Sequence, residues 1–355
     1  MASQTSLLLL GATGFIGGTV LTQLKTSELK EVKSLAVTAL VRKQGQADLL
    51  RDKGVDAVVL PGGLDDTEGL ANLASQHDVV VQAAYGYHPA SAEALISGLA
   101  RRQKERGGSP FYVQVSGTTS FAESDLSGGA GREGRGFSDK DEGLYEYEVA
   151  REEELSYVQR ALDVRVVRAG EELGVRTYLV VPPHVYGRGT GYFNRASQII
   201  PFMAKNALQA GKVEYILPGT SRYGYVHVED LATLFEVTIA RALEDPGLAA
   251  RRRGYFFANT GEYTWFELAE AITRAGHELG ALSSAEPAPV ELGSPGVKPW
   301  GVDDAMTERV FASSAITRAE RGYEIGWRPS KTEEDWKTWI PEEFGVIYRG
   351  GSVEE

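Results

Sequence analysis

The chain contains no cysteine in 355 residues, which excludes disulfides, thiolate metal ligands and a cysteine nucleophile together. Histidine is scarce as well. The five, at positions 77, 88, 184, 227 and 277, include no pair four residues apart, so no zinc site is expected. Positive charge is in deficit: 37 Lys and Arg against 49 Asp and Glu leave a net −12. Nucleic-acid binding needs a basic surface, so nucleic acid is not an expected partner. Long apolar runs are missing too, and none approaches the roughly 20 residues needed to cross a bilayer. The stretch from Met1 to Ser6 carries no basic residue, and the four leucines after it run too soon into glycines for a secretory signal. A cytoplasmic protein with no membrane partner is the expectation.

What is present is ordinary globular composition, 42% hydrophobic and 24% charged, enough for one large domain or two smaller ones. The chain's organising stretch comes early. Leu7-Leu8-Leu9-Leu10 has strand length, and Gly11-Ala12-Thr13-Gly14-Phe15-Ile16-Gly17-Gly18 follows directly, leading into a helix-like segment, Thr19 to Lys25. Strand, tight turn and helix N-terminus in that order suit a pyrophosphate. Glycines admit positive dihedrals and close backbone approach, and the helix start offers free N–H groups and partial positive charge.

The second strand, Ser34 to Val41, ends in Arg42-Lys43. An acidic residue at that position accepts from a ribose 2′-hydroxyl, whereas Arg or Lys accommodates a 2′-phosphate, so NADP(H) is expected over NAD(H). Further strands are read at Ala57–Leu60, Asp78–Gln82, Phe111–Val115 and Arg176–Val181, with helices between them. This alternation predicts an α/β fold, a doubly wound parallel (Rossmann) sheet with a smaller C-terminal substrate-binding lobe. Residues 1–187 are assigned to the NADP-binding part, its sheet open to completion by later segments. Residues 188–355 are assigned mainly to the substrate lobe, interleaved with the first. One helix is read from Lys140 to about Leu162. The glycine-dense stretch 127–136 is either a mobile flap over the ligand edge or a surface insertion.

These motifs, in this order, resemble the extended (atypical) short-chain dehydrogenase/reductase family, whose members are NAD-dependent epimerase/dehydratase-like. Gly62-Gly63-Leu64-Asp65, Ala83-Ala84, Ser116-Gly117-Thr118-Thr119, Pro182-Pro183-His184-Val185-Tyr186-Gly187, Val226-His227-Val228-Glu229-Asp230 and Gly326-Trp327-Arg328-Pro329 carry the resemblance through most of the chain. It is closer to fungal-type members than to sugar epimerases.

The resemblance implies a set of cofactor contacts. Gly11, Thr13, Gly14, Phe15, Ile16 and Gly17 would line the pyrophosphate, Arg42 and Lys43 would hold the 2′-phosphate, and Leu64 and Asp65 would border adenine. Ala83, Ala84, Tyr85 and Ser116 would pass under the nicotinamide ribose. Pro182, His184 and Val185 would meet the carboxamide through backbone groups. His227 is read as stabilising the fold.

Family chemistry uses a Ser or Thr, a Tyr, and a Lys four residues after the Tyr. Thr118 stands at the first position. Tyr145 has Val149 four residues on, and Tyr147 has Arg151, so neither pair is Tyr and Lys. Thr118, Tyr145, Tyr147 and Arg151 are therefore the catalytic candidates, with packing tyrosines as the bland alternative.

Three functions stay open, in this order. The first is an NADP(H)-dependent oxidoreductase acting on a carbonyl or alcohol of a small metabolite. The second is a non-redox isomerase, dehydratase or cyclase, and the third a dinucleotide-sensing regulator. A small-molecule substrate is the expected partner, with a homodimer as an option the family implies. Tyr192, Phe193, Tyr223, Tyr225 and Trp265 are candidates to line an apolar pocket, and Arg188, Arg195 and Arg222 to contact an anion.

Overall fold

The computed structural model describes residues 4–123, 136–297 and 302–350. Apart from Gly136, the stretch 127–136 lies outside them. The leucine run forms β1 (Ser6–Leu10), with Leu7 to Leu10 at 0–1% exposure, so both its faces are covered. Around it lie β2 (Ala36–Val41), β3 (Asp56–Val59), β4 (Val79–Gln82) and β5 (Phe111–Val115). A short strand, β6 (Gly136–Ser138), stands apart from the central sheet, which continues with β7 (Arg176–Val181).

Beyond these the chain forms β8 (His184–Tyr186), β9 (Glu214–Ile216) and β10 (Arg222–His227). It then returns to the sheet with β11 (Tyr255–Phe257). The sheet is seven-stranded in the order β11-β7-β5-β4-β1-β2-β3, parallel throughout. The strand order reverses at β1, between β4 and β2. Ligands of open parallel sheets bind at the carboxyl ends of strands beside such a switch.

The lobe is built from small sheets: β12 (Gly261–Thr264) pairs β10, which pairs β8; β13 (Ala288–Val290) pairs β9; β14 (Ile316–Arg318) pairs β6. A second apolar core fills it, with Tyr186, Trp265, Trp336 and Phe344 among its members. The lobe and sheet are interleaved in the chain, since β11 and helix Val228–Glu244 belong to the sheet side. That helix packs on helix Phe15–Thr26, with Gln23 Nε2 donating to Glu236 Oε2 at 2.7 Å.

One sequence expectation is corrected. The single helix read from Lys140 to Leu162 is two, Leu144–Glu154 and Val158–Glu172. The Glu152 carboxylate accepts from Ser156 Oγ (2.6 Å) and from the Tyr157 N–H (2.8 Å). That satisfies a donor at the start of the second helix, while Leu155 and Tyr157 take extended dihedrals. The helical spacing of Leu144, Glu148, Leu155, Val158 and Leu162 runs across the break, which is why the pattern alone joins the two helices, although Val158 is exposed. The segment 182–187, given no element in the sequence reading, contains β8, paired in parallel with β10.

Candidate functional site

The glycine turn is a cradle made by backbone crowding. Gly11 has φ +88°, and a Cβ on it would stand 2.3 Å from Ala83 O; a Cβ on Gly17 would stand 2.2 Å from Gly11 O. Any side chain at either position would push β1, β4 and the first helix apart. Helix Phe15–Thr26 opens at Gly14 without a side-chain cap, so its first N–H groups face the cleft unengaged by a side chain. A cleft of about 690 Å³ lies over the turn, lined by Gly11, Thr13, Gly14, Arg42, Leu64, Asp65, Ala84 and Tyr85. These residues fit a dinucleotide. The turn admits phosphate oxygens where a Cβ would fill the space, and an exposed guanidinium, Arg42, stands at the β2 end without an ion pair among the described residues. Asp65 Oδ1 instead pairs with His88 Nε2 at 3.1 Å.

The other cofactor candidates spread more widely. Phe15 is buried against the segment after β8, Ile16 is half-buried, and Lys43 is exposed at the start of helix Gln44–Asp52. Ala83 N–H donates to Leu10 O at 3.0 Å, joining β4's end to β1's. Ser116 Oγ is committed to the buried Asp163. Pro182 O accepts from the Thr118 N–H at 2.9 Å. The His184 ring points into the lobe, where its Nδ1 lies 3.1 Å from Tyr263 Oη and its ring meets Trp336 edge-on. Burial lowers it to about 3, so the ring is neutral, and Val185 beside it is half-buried. His227 accepts from the Glu229 N–H, capping helix Val228–Glu244.

The catalytic candidates separate. Tyr145 is buried under the Arg252 guanidinium, 4.4 Å from its ring centroid, and Arg252 is held by Glu146 and Glu171. Arg252 precedes β11 and Glu171 ends the helix leading into β7, so Tyr145 lies by the strands' amino ends, opposite the ligand edge. Tyr147 stacks on Phe121 and donates to Glu123, which also takes Arg151 Nη2 at 3.0 Å. Burial and the Glu123 carboxylate push the Tyr147 phenol up; Arg151 opposes this but sits across the carboxylate. Thr118 is brought to neither tyrosine. Fully buried, its hydroxyl has no well-formed hydrogen bond and lies beside that of Tyr223.

What the structure does gather at the carboxyl edge is a cluster around Tyr157. Its hydroxyl lies 3.1 Å from Thr119 Oγ1, 2.8 Å from Gln159 Oε1 and 3.4 Å from Tyr87 Oη. Thr119 Oγ1 also reaches Gln159 Oε1, at 2.9 Å. Gly117 makes this possible, since a Cβ there would meet Gln159 Nε2 at 2.7 Å. Edge-on rings from Tyr85 through Tyr87 to Tyr157 connect the cluster to the dinucleotide cleft. Burial first, then Tyr87, raises the Tyr157 phenol above its usual range, against the opposing Thr119 hydrogen bond. The group is therefore a neutral proton donor at pH 7.

Sequence reading missed Tyr157 because it ran one helix across it. The available signal was topological: a helix leading into a parallel strand must begin at the carboxyl edge.

Beneath the cluster lies a fully buried carboxyl pair, Glu148 and Asp163. Asp163 accepts from Ser116 and Ser120, and Glu148 accepts from Tyr255 Oη at 2.6 Å. Burial raises both carboxyls, and they share a hydrogen bond, so the pair retains a proton above the usual carboxylate range. Among the anion candidates, Arg222 pairs with Glu262, and Arg195 Nε donates to Gly189 O at 2.6 Å. Arg188 borders a separate polar cavity with His227 and Lys331. Tyr223 is buried beside Thr118, while Tyr225 stacks on Trp336 within the lobe core, where Trp265 is also buried. Tyr192 and Phe193 are half-buried against the main core. Among the described residues no group of three His, Asp or Glu could hold a metal ion, and no helix is long and apolar enough to cross a membrane.

Residues 11–133 match the NAD(P)H-binding family and residues 127–247 match the NAD dependent epimerase/dehydratase family. Oxidase ucsJ from an Acremonium species is 28% identical over 334 residues, 90% of this chain and 91% of that protein. Two dTDP-glucose 4,6-dehydratases share the fold. The enzyme from Streptomyces venezuelae, solved with NAD, has TM-score 0.64 at 16% identity over 98% of both chains. That from Bacillus anthracis, also with NAD, has TM-score 0.63 at 16% identity over 97% of both. With the seven-stranded parallel sheet and the glycine cradle between β1 and β4, these matches give the chain an NAD(P)H-binding segment followed by a segment similar to the NAD dependent epimerase/dehydratase family, on the fold of the nicotinamide-dinucleotide-dependent dehydratases.

Proposed function

We propose that the protein is an NADP(H)-dependent oxidoreductase acting on a carbonyl or alcohol of a small metabolite, with Tyr157 exchanging the proton on the substrate oxygen. The observation that carries this is the hydroxyl cluster of Tyr157, Thr119 and Gln159 at the sheet's carboxyl edge, joined by Tyr85 and Tyr87 to the glycine cleft. The bound dinucleotide supplies the hydride equivalent. In reduction, the carbonyl oxygen gains a proton as the carbon gains hydride, and a buried phenol within reach of that oxygen supplies it. Thr119 and Gln159 hold the phenol's direction. Tyr157 is almost wholly buried, which limits water at its hydroxyl. At the other end, Arg42 favours a 2′-phosphate by charge.

Fluorescence titration with NADPH and NADH tests the cofactor half. NADPH is expected to bind at least about tenfold tighter, the scale of one charge-assisted contact. A protein that bound neither would end the proposal. A second reading, a non-redox isomerase, dehydratase or cyclase, draws on one observation: position 161, four residues after Tyr157, is alanine, so the helix provides no lysine there. Turnover indifferent to the dinucleotide's presence and redox state would select it.

A further inference from the structure

A tyrosine that trades a proton near neutral pH needs a positive charge close by, because burial alone pushes its phenol the wrong way. The helix beginning at Val158 does not offer one at the usual spacing. Arg160, on the same helix, is fully buried with its guanidinium 5.9 Å from the Tyr157 ring centroid. A closer cation comes from far away in sequence. Arg309, on helix Asp304–Phe311 of the lobe, places its guanidinium carbon 4.2 Å over the Tyr157 ring.

Arg309 is built in from several sides. Its Nη1 reaches Thr119 O at 3.4 Å, so one residue contacts Arg309 through its carbonyl and Tyr157 through its hydroxyl. Ser313 Oγ donates to the Arg309 carbonyl, Asp303 caps the helix, and Phe311 packs on Phe202 and Trp265. Resting on the reading of Tyr157 above, we propose that Arg309 is the positioning cation of the site, a guanidinium delivered across the ring face by the C-terminal lobe in place of a lysine on the tyrosine's own helix.

The charged and titratable groups around the pair are few. Tyr157 meets Tyr87 from the loop after β4, Tyr223 from β10, Arg160 from its own helix, and Glu152 at its backbone N–H. Arg309 is surrounded by Arg151, Arg160, Tyr157, Tyr223 and Glu308. A guanidinium cannot lose its proton in the working range, so its effect is constant and the phenol alone titrates. A cation over a phenol face attracts the phenolate more strongly than the phenol, so it lowers the tyrosine's pKa and removing it raises the pKa.

The test is NMR titration of protein carrying ¹³Cζ-tyrosine, from pH 6 to pH 11, with NADP⁺ bound, whose cationic ring together with Arg309 is expected to bring the buried Tyr157 phenol down into that range. The Tyr157 signal is assigned by its loss in Tyr157→Phe. Arg309→Gln is expected to move the Tyr157 midpoint up by about one pH unit, or out of the range altogether, and Arg309→Lys to restore most of it. Melting temperatures establish that each variant is folded. If Arg309→Gln fails to fold, the comparison of wild type with Arg309→Lys decides: a Tyr157 midpoint higher in the lysine variant supports the proposal, because an ammonium covers the ring face less well. Superimposable curves, or no titration in any folded form, overturn it. The readout needs no substrate, so failure here is distinct from failure of the oxidoreductase reading, which NADPH titration and the turnover of Tyr157→Phe judge separately.

Discussion

The two halves of the site are built on opposite principles. The dinucleotide half is open and local: one turn, one helix start and one strand end, residues within a short span, shaped by the absence of side chains. The hydroxyl half is closed and assembled: Thr118 and Thr119 after β5, Tyr157 at a helix break, Tyr87 after β4, Tyr223 on β10 and Arg309 on a late helix. A backbone-defined cradle tolerates almost any surrounding sequence provided its glycines stay. A cluster of hydroxyls in low dielectric depends on every partner, because each one lost leaves another buried polar group unpaired.

Replacements in the two halves are expected to fail in different quantities. The largest effect belongs to Tyr157→Phe, which is expected to lower kcat by about a hundredfold or more while leaving the NADPH dissociation constant unchanged, read by steady-state kinetics beside a binding titration. Weakened NADPH binding with intact kcat would reverse the division proposed here.

Gly11→Ala is expected to do the opposite, weakening dinucleotide binding by about tenfold or more, since its Cβ would meet Ala83 O at 2.3 Å and φ is +88°. Calorimetric titration measures it, and wild-type affinity would disprove the cradle. Arg42→Ala is expected to cost about fivefold to tenfold in NADPH affinity and almost nothing in NADH affinity. Equal losses for both would remove the 2′-phosphate role.

A smaller effect concerns the carboxyl pair beneath the cluster. Glu148 and Asp163 hold a proton in the folded protein that an unfolded chain would release near pH 4. The folded state therefore binds more protons, and their contribution to stability is present below pH 4 and is lost as pH rises through the folded range. Glu148→Gln keeps the hydrogen bonds without the proton. It is expected to flatten the fall in melting temperature between pH 4 and pH 7, a difference of about 1–2 kcal/mol. Parallel curves for both proteins would show that the pair does not titrate in that interval.

The smallest effect is expected at Tyr145. Since it packs under Arg252 by the strands' amino ends, Tyr145→Phe should change kcat less than about twofold. A large loss would return this tyrosine to the chemistry.

Much of the fold could be read directly from residues. The leucines of β1, the glycines after it and the strand runs through Val181 have periods short enough for a local pattern to specify them. Two things escaped. The Glu152 cap at Tyr157 is a side-chain-to-backbone event within a segment whose spacing reads as one helix, and periodicity does not register it. Strand β11 belongs to the central sheet although 73 residues separate it from the end of β7. Pairing over that distance is decided by which surface is left to cover, not by the segment's own composition.

By itself the sequence determined a parallel sheet with a dinucleotide cradle, because a glycine's freedom and a buried strand's apolarity are properties of neighbouring residues. Only the tertiary structure decided which tyrosine stands at the ligand edge and which cation faces it. Tyr145, Tyr147 and Tyr157 lie within thirteen residues of one another, yet one sits under Arg252, one bonds Glu123 and one joins Thr119 and Gln159. Those partners come from every part of the chain, and a hydroxyl's chemistry is set by the charges and dipoles packed around it.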